Sequence, residues 1–300
     1  MADGSLARGG LRRTARASGT ALGAGALARI AGNASLALYR ELALAPKPGL
    51  VSFVDSGSHE DMNAHTFMRS IFALRSYFPT VADAGAQGAS FAELERLGLD
   101  AEARMLAATD GINTHRGAIF ALGLLCAAAG WLIAQGRKIG PEDLRAALGA
   151  QWGDALLQRA ARRAASPATS KGQRAARACG LRSAGEEAAD GFPVLFDVTY
   201  PALCAGRIFE GDPTRSMVHA LFATIATLDD TNLAHRGGIE GLRYAQARAR
   251  GFLHAGSVFR EGWRARAEAT HERFVARRLS PGGAADMLAC AWWLARVSDA

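Results

Sequence analysis

Gly117 to Gln135 reads GAIFALGLLCAAAGWLIAQ, 19 residues without a charge, and the interpretation of this stretch decides the fold. At about 1.5 Å of rise per residue, a helix of this length would reach across the hydrocarbon core of a bilayer. The same length suits a helix at the centre of a helical protein, apolar on every side because other helices surround it. Composition favours the second reading: the stretch is crowded with Ala and Gly, includes Cys126 and Gln135, and stands alone in the chain. Its small residues would let neighbouring helices approach closely. The expectation is therefore a central, uncharged, buried helix and no membrane partner.

Outward from this helix, the 300 residues are 49% hydrophobic and only 21% charged, enough to build a large core. Ala, Leu, Arg and Glu abound while Val and Ile are scarce, which points to an all-α protein. Upstream, the spacing of Leu27, Ile30, Leu36, Leu38 and Leu42 predicts a helix from about Ala26, stopped by Pro46 and Pro48 and followed by a loop from Lys47 to Ser58. A second helix is predicted from Asp61 or Asn63 through Tyr77, ended by Pro79, and a third from Phe91 to Ala108. Downstream, helices are predicted over Thr214 to Leu228, Gly237 to Arg250 and Gly283 to Arg296. Together these form one compact multi-helix domain over residues 26–300, preceded by a disordered basic tail over residues 1–25.

Arg12-Arg13 is not followed by an unbroken apolar run, because Gly23 and Gly25 interrupt Ala21 to Ala28, so no export signal is expected. Cys126, Cys179, Cys204 and Cys290 lie far apart with no CxxC pair, as for reduced thiols in a cytoplasmic protein. The formal charge of +7 fits an anionic partner: a nucleic acid, a membrane surface or a phosphorylated small molecule. Its densest source is Arg159 to Arg182, with seven Lys and Arg and no acid, read as a mobile basic loop that is either a solvated face or an anion contact.

Five polar blocks then fall at helix edges. Pro46-Lys47-Pro48-Gly49 would present Lys47 from a stiff turn, useful against phosphate, though an ordinary surface turn has the same spacing. In Ser58-His59-Glu60-Asp61-Met62-Asn63-Ala64-His65, Asp61 is either a helix cap or a hard oxygen ligand for Mg²⁺. Glu102 precedes Thr109 to Gly117 (TDGINTHRG), which gathers Asn113, His115 and Arg116 before the uncharged helix, whose N-terminus favours anions. Asp229 and Asp230 followed by Asn232, His235, Arg236, Gly237 and Gly238 repeat that order of acid, Asn, His, Arg and Gly. In Ser280-Pro281-Gly282-Gly283, the glycines would leave room for a ligand. No phosphate-binding P-loop, dinucleotide fingerprint, nucleophile elbow or kinase signature occurs.

Taken in order, the chain resembles the triphosphoribosyl-dephospho-CoA synthase family. The matching stretches are PKPGLV at Pro46 to Val51, HEDM at His59 to Met62, Glu102 with Met105-Leu106, TDGINTHRG, Gly191-Phe192-Pro193, DTNLAHRGG at Asp230 to Gly238 and SPGGAADML at Ser280 to Leu288. Arg116 and the HRGAIFALGLL run look more like the malonate decarboxylase branch than the citrate lyase branch. One departure is Gly185, where the family pattern leads us to expect an arginine, with Arg182 nearby as a substitute.

The resemblance implies a pentosyltransferase that joins ATP to 3'-dephospho-CoA. A ribose hydroxyl attacks the anomeric carbon of ATP, adenine leaves, and the triphosphate stays on the transferred ribose. Lys47, Arg116 and Arg236 would then bind phosphates, and Asp61, Asp229 and Asp230 would serve as Mg²⁺ ligands. Glu102 would be the general base, with Asp61 and His115 also catalytic. His59, Asn113, His115, Asn232 and His235 would orient substrate, and Gly237, Gly238, Gly282 and Gly283 would allow close approach. Two other readings stay open at this point: a related transferase with another acceptor, and a basic helical protein that binds nucleic acid. Assembly into a homo-oligomer is left open as well.

Overall fold

A computed structural model describes residues 8–168, 170–206 and 212–298, and no strand occurs among them. The all-α expectation holds. The first helix, α1 (Arg8–Ala43), ends where Pro46 and Pro48 forbid its continuation. The tail expected over residues 1–25 lies outside the described residues as far as residue 7, and from Arg8 the backbone belongs to α1.

The helix expected from Asp61 or Asn63 to Tyr77 is two helices, α2 (Ala64–Ala73) and α3 (Tyr77–Ala86). Asn63 is the cap of α2, its side chain accepting from the Thr66 N–H, so Asp61 lies before the helix and does not share a face with His65. Pro79 does not end a helix either. It sits in the first turn of α3, where a missing N–H costs nothing. The third helix, α4 (Phe91–Ala108), has the predicted bounds.

The uncharged stretch forms α5 (Arg116–Ala134), and 72% of its apolar part is buried inside the protein. It packs on α1, α3 and α4, and also against α6 (Pro141–Ala165) and the last helix of the chain. The contact with α3 shows what the small residues do. A Cβ on Gly85 would lie 2.0 Å from the Ala127 carbonyl oxygen, and one on Gly130 would lie 2.0 Å from that of Ala82. The two backbones therefore touch, and any side chain at either glycine would separate them.

The basic section expected to be a loop is largely helical: its first residues complete α6, and Ser170 caps α7 (Lys171–Cys179) through a reciprocal bond with Gln173. Two short helices follow, α8 (Ala184–Ala189) and α9 (Tyr200–Ala205), with a π-turn at Val194–Thr199 between them. The chain closes with α10 (Pro213–Thr227), α11 (Thr231–His254), α12 (Trp263–Ala276) and α13 (Gly282–Ser298). Within α11, Gly238 breaks the helical path at φ 64 and ψ −170, so the predicted Gly237 to Arg250 segment is the second limb of a kinked helix. α13 runs against α1, α5 and α10, which brings the last polar block of the sequence beside the first.

Candidate active site

This arrangement gathers the polar blocks around one cleft of about 1080 Å³. Its lining includes Lys47, His59, Asp61, Asn113, His115, Arg116, Asn232, His235, Arg236, Gly282 and Gly283, so most of the sequence-predicted residues meet there. Glu102, Asp229, Asp230, Gly237 and Gly238 are not on its wall.

Lys47 is not presented from a surface turn. It is 2% exposed, and its ammonium donates to Glu41 Oε1 at 2.6 Å and to the Glu41 carbonyl at 2.7 Å. Burial lowers its pKa, and the Glu41 carboxylate opposes that shift. His115 is also buried, at 3% exposure, with Nδ1 2.6 Å from Ser70 Oγ and Nε2 without a partner. The fully buried Ser70 hydroxyl has no other acceptor, so its proton points at Nδ1 and the ring carries its own proton on Nε2. Desolvation, then the charge of Lys47, push the imidazole pKa down to about 3. His115 is thus a neutral N–H donor with nothing in the protein to receive it.

Arg116 donates through Nε to Glu102 Oε1 at 2.6 Å, with Nη2 on the same oxygen, and Asn113 Oδ1 accepts the Arg116 N–H. Glu102, expected to act as general base, is therefore half-shielded and ion-paired. It opens instead on a side chamber of about 350 Å³ between α3, α4 and α5, lined by Tyr77, Leu94, Gly98, Ile119 and Phe120. His59 Nε2 lies 2.9 Å from Ser280 Oγ, and burial, then the charge of Arg236, lower its pKa. Arg236 donates to the Ser58 carbonyl, tying the second and fourth blocks together.

Asp230 is 1% exposed and does not reach the cleft. One oxygen accepts the Asn232 and Leu233 N–H groups of α11, and the other accepts the Ala284 N–H of α13 at 3.0 Å. Desolvation raises its pKa to about 6, although those N–H groups pull the other way. The glycines serve this clasp. A Cβ on Gly283 would meet Asp230 Oδ2 at 3.1 Å, and one on Gly282 would meet the Asn232 amide at 2.8 Å. Gly237 gives room to Leu279, whose Cδ2 would lie 2.6 Å from an added Cβ. Three of the four glycines expected to admit a ligand thus admit neighbouring side chains, and Gly238 makes the kink.

The three carboxylates expected to hold Mg²⁺ do not form one group. Asp230 is occupied by backbone donors, Asp229 accepts from the Arg182 N–H, and Asp61 alone faces the cleft, 3.5 Å from His59 Nδ1. Among the described residues no set of three His, Cys, Asp or Glu side chains is placed to hold a metal ion. The donor set fits a Mg²⁺ that arrives on phosphate oxygens and gains one protein carboxylate; it does not fit a protein-built cage.

Opposite the buried floor, α6 and α7 set Arg159, Arg163, Lys171, Arg174 and Arg177 along the cleft. Eight Lys and Arg line the cleft against four carboxylates, so the basic section is a wall facing the site. Gly185 lies beside this wall: a Cβ there would stand 3.4 Å from Arg159 Nη1, so a guanidinium is already present next to position 185. Arg182, the substitute nearest in sequence, pairs with Glu187 and Asp190 instead.

Sequence reasoning missed Glu41, Ser70 and Asp286. Asp286 was visible within SPGGAADML, but Glu41 and Ser70 are lone polar residues in helical segments and carry no local signal.

Residues 27–300 match the family described as ATP:dephospho-CoA triphosphoribosyl transferase. A protein of Acinetobacter calcoaceticus named probable 2-(5''-triphosphoribosyl)-3'-dephosphocoenzyme-A synthase is 38% identical over 264 residues, covering 88% of this chain and 89% of its own. The synthase of that name from Pectobacterium atrosepticum is 39% identical, covering 86% of this chain and 85% of its own. A probable synthase from Stutzerimonas stutzeri is 38% identical over 277 residues, covering 91% and 92%. No solved structure matches the chain.

Proposed function

Because the chain belongs to the ATP:dephospho-CoA triphosphoribosyl transferase family and is a transferase, we propose that it transfers the triphosphoribosyl group of ATP to 3'-dephospho-CoA. The observation that carries this reading is the pairing, in one cleft of about 1080 Å³, of a wall of Arg and Lys with a buried ring nitrogen without a partner, His115 Nε2. A site for two polyanions needs such a wall, and a site for glycosidic chemistry needs a dry floor with directed donors.

Arg116, Arg159, Arg174 and Arg236 bind the phosphates of the two substrates, with Lys47 supplying positive charge from the floor. Glu102 holds the Arg116 guanidinium in place. His115 Nε2, with His59, Asn113, Asn232 and His235 lining the same cleft, orients the adenine and the reacting ribose. Asp61 would be the protein oxygen that holds a Mg²⁺ carried on the triphosphate, and that ion would supply charge neutralisation. The side chamber, with an apolar face of Tyr77, Leu94, Ile119 and Phe120, suits the uncharged pantetheine arm. The product serves the acyl-carrier prosthetic group of malonate decarboxylase in preference to citrate lyase, and the reaction is cytoplasmic.

Incubation with ATP, Mg²⁺ and 3'-dephospho-CoA tests the reading, with adenine followed by chromatography and product by mass spectrometry. Adenine release that depends on both substrates is expected. If ATP is consumed only with a different acceptor, the chain is a related transferase and the dephospho-CoA reading fails.

A further inference from the structure

Building on the transfer reading, we propose that Asp286 takes the proton of the attacking acceptor hydroxyl. Asp286 opens the second turn of α13 and lines the cleft. Its carboxylate rests against the start of α5, where it accepts the Ala118 N–H. It fits there because residue 117 is glycine: a Cβ on Gly117 would lie 2.0 Å from Asp286 Oδ2.

Four carboxylates line the cleft, and three are committed elsewhere. Glu41 is bound to Lys47, Glu186 closes the capping box of α8 with Ser183, and Asp61 is 63% exposed beside His59. Among the described residues no lysine or arginine pairs with Asp286. The charged and titratable groups that face it are Glu41 from α1, Asp230 from the start of α11 and Cys290 one turn along α13. Burial first, then those two carboxylates, push its pKa well above the usual carboxylate range. That is the direction that makes a carboxylate a competent base towards a hydroxyl.

An independent observation points to the same place. His115, two residues before Gly117, brings a buried N–H without a partner to the same cleft. A proton acceptor and a neutral donor thus flank one glycine. As the acceptor oxygen bonds to the anomeric carbon, its proton passes to Asp286 and the carbon–nitrogen bond to adenine breaks. That bond's electron pair leaves on the adenine, which takes a proton from water, and Asp286 returns its proton to solvent.

Asp286→Asn tests this, because the amide oxygen can still accept the Ala118 N–H. Turnover is expected to fall on the order of 10³-fold, with ATP affinity by calorimetry held within about threefold. In the wild-type protein, kcat/KM is expected to rise with pH through an ionisation above the usual carboxylate range, and this limb should vanish in the variant. Retention of more than about a tenth of turnover would overturn the assignment, as would a parallel loss of ATP binding. If Asp286→Asn does not fold, a wild-type profile flat from about pH 5 to 8 overturns it instead. A folded wild-type chain that releases no adenine sinks the transfer reading and this inference together, whereas wild-type turnover with an active variant sinks only this one.

Discussion

At the start of α5 the acid of the polar block, Asp110, is 74% exposed and pairs with Arg69, while its histidine is buried; at the start of α11 the acid, Asp230, is buried and the histidine, His235, is exposed over the basic wall. Both blocks run acid, Asn, His, Arg, Gly. What separates them is where the helix begins. α5 starts only at Arg116, near the end of the block, so His115 is the residue at the helix entrance and turns inward. α11 starts at Thr231, inside the block, so the acid becomes the cap and His235 and Arg236 ride on the helix surface until Gly238 kinks it. A shift of about one turn exchanges the structural residue with the chemical one.

The sharpest way to break this comparison is to remove the two acids. Asp230→Ala deletes the acceptor for N–H groups of α11 and α13 in a buried setting, and should destabilise the protein by about 3–5 kcal/mol in urea unfolding. Asp110→Ala removes an exposed ion pair at a residue with φ 55 and should stay within about 1 kcal/mol. Similar losses would mean that the two blocks do the same work.

The glycines give a smaller but more discriminating effect. Gly238 has φ 64 and ψ −170, a conformation nearly confined to glycine, and Gly238→Ala should cost about 2 kcal/mol although its Cβ meets nothing within 4 Å. Gly117→Ala should cost a similar amount, from the clash with the Asp286 carboxylate. Only Gly117→Ala should also lower kcat for adenine release, because only there does the added methyl displace a group in the cleft. Equal kcat in the two variants would count against a chemical role for the α5 entrance.

The contrast also marks where the sequence was legible. The uncharged run specified α5 because 19 residues without a charge fit a helix whether lipid or protein surrounds it, and the caps and apolar spacing placed α4, α10 and α13 within one or two residues. Pro79 was misleading because one residue type both ends helices and opens them, and only the tertiary path distinguishes the two. Blocks before helices were legible as a site. Roles within them were not, because role follows burial, and burial of Asp230 or Lys47 depends on helices far away in sequence. Gly282 and Gly283 show the same limit: the need for space was readable, but not that Asn232 and Asp230 would fill it.

The smallest effect separates the blocks by the sign of their response to pH. His115 has a folded pKa of about 3, well below the ordinary value of 6.5 for an unfolded histidine. The unfolded chain therefore binds the extra proton, and stability is full above pH 6.5 and falls as pH drops towards 3. Asp230 has a folded pKa of about 6 against 3.8, so the folded state binds the extra proton; its contribution is full below 3.8 and is lost as pH rises through 6. From about pH 7 to 5.5 the two slopes oppose each other, and the wild-type protein should show little net change from this pair. His115→Gln removes one slope and leaves the other. Relative to wild type, the variant should gain on the order of 1 kcal/mol over that interval, read as a double difference in urea unfolding. A constant offset across the interval would mean that His115 takes up a proton near neutral pH, and its role as a neutral donor would fall.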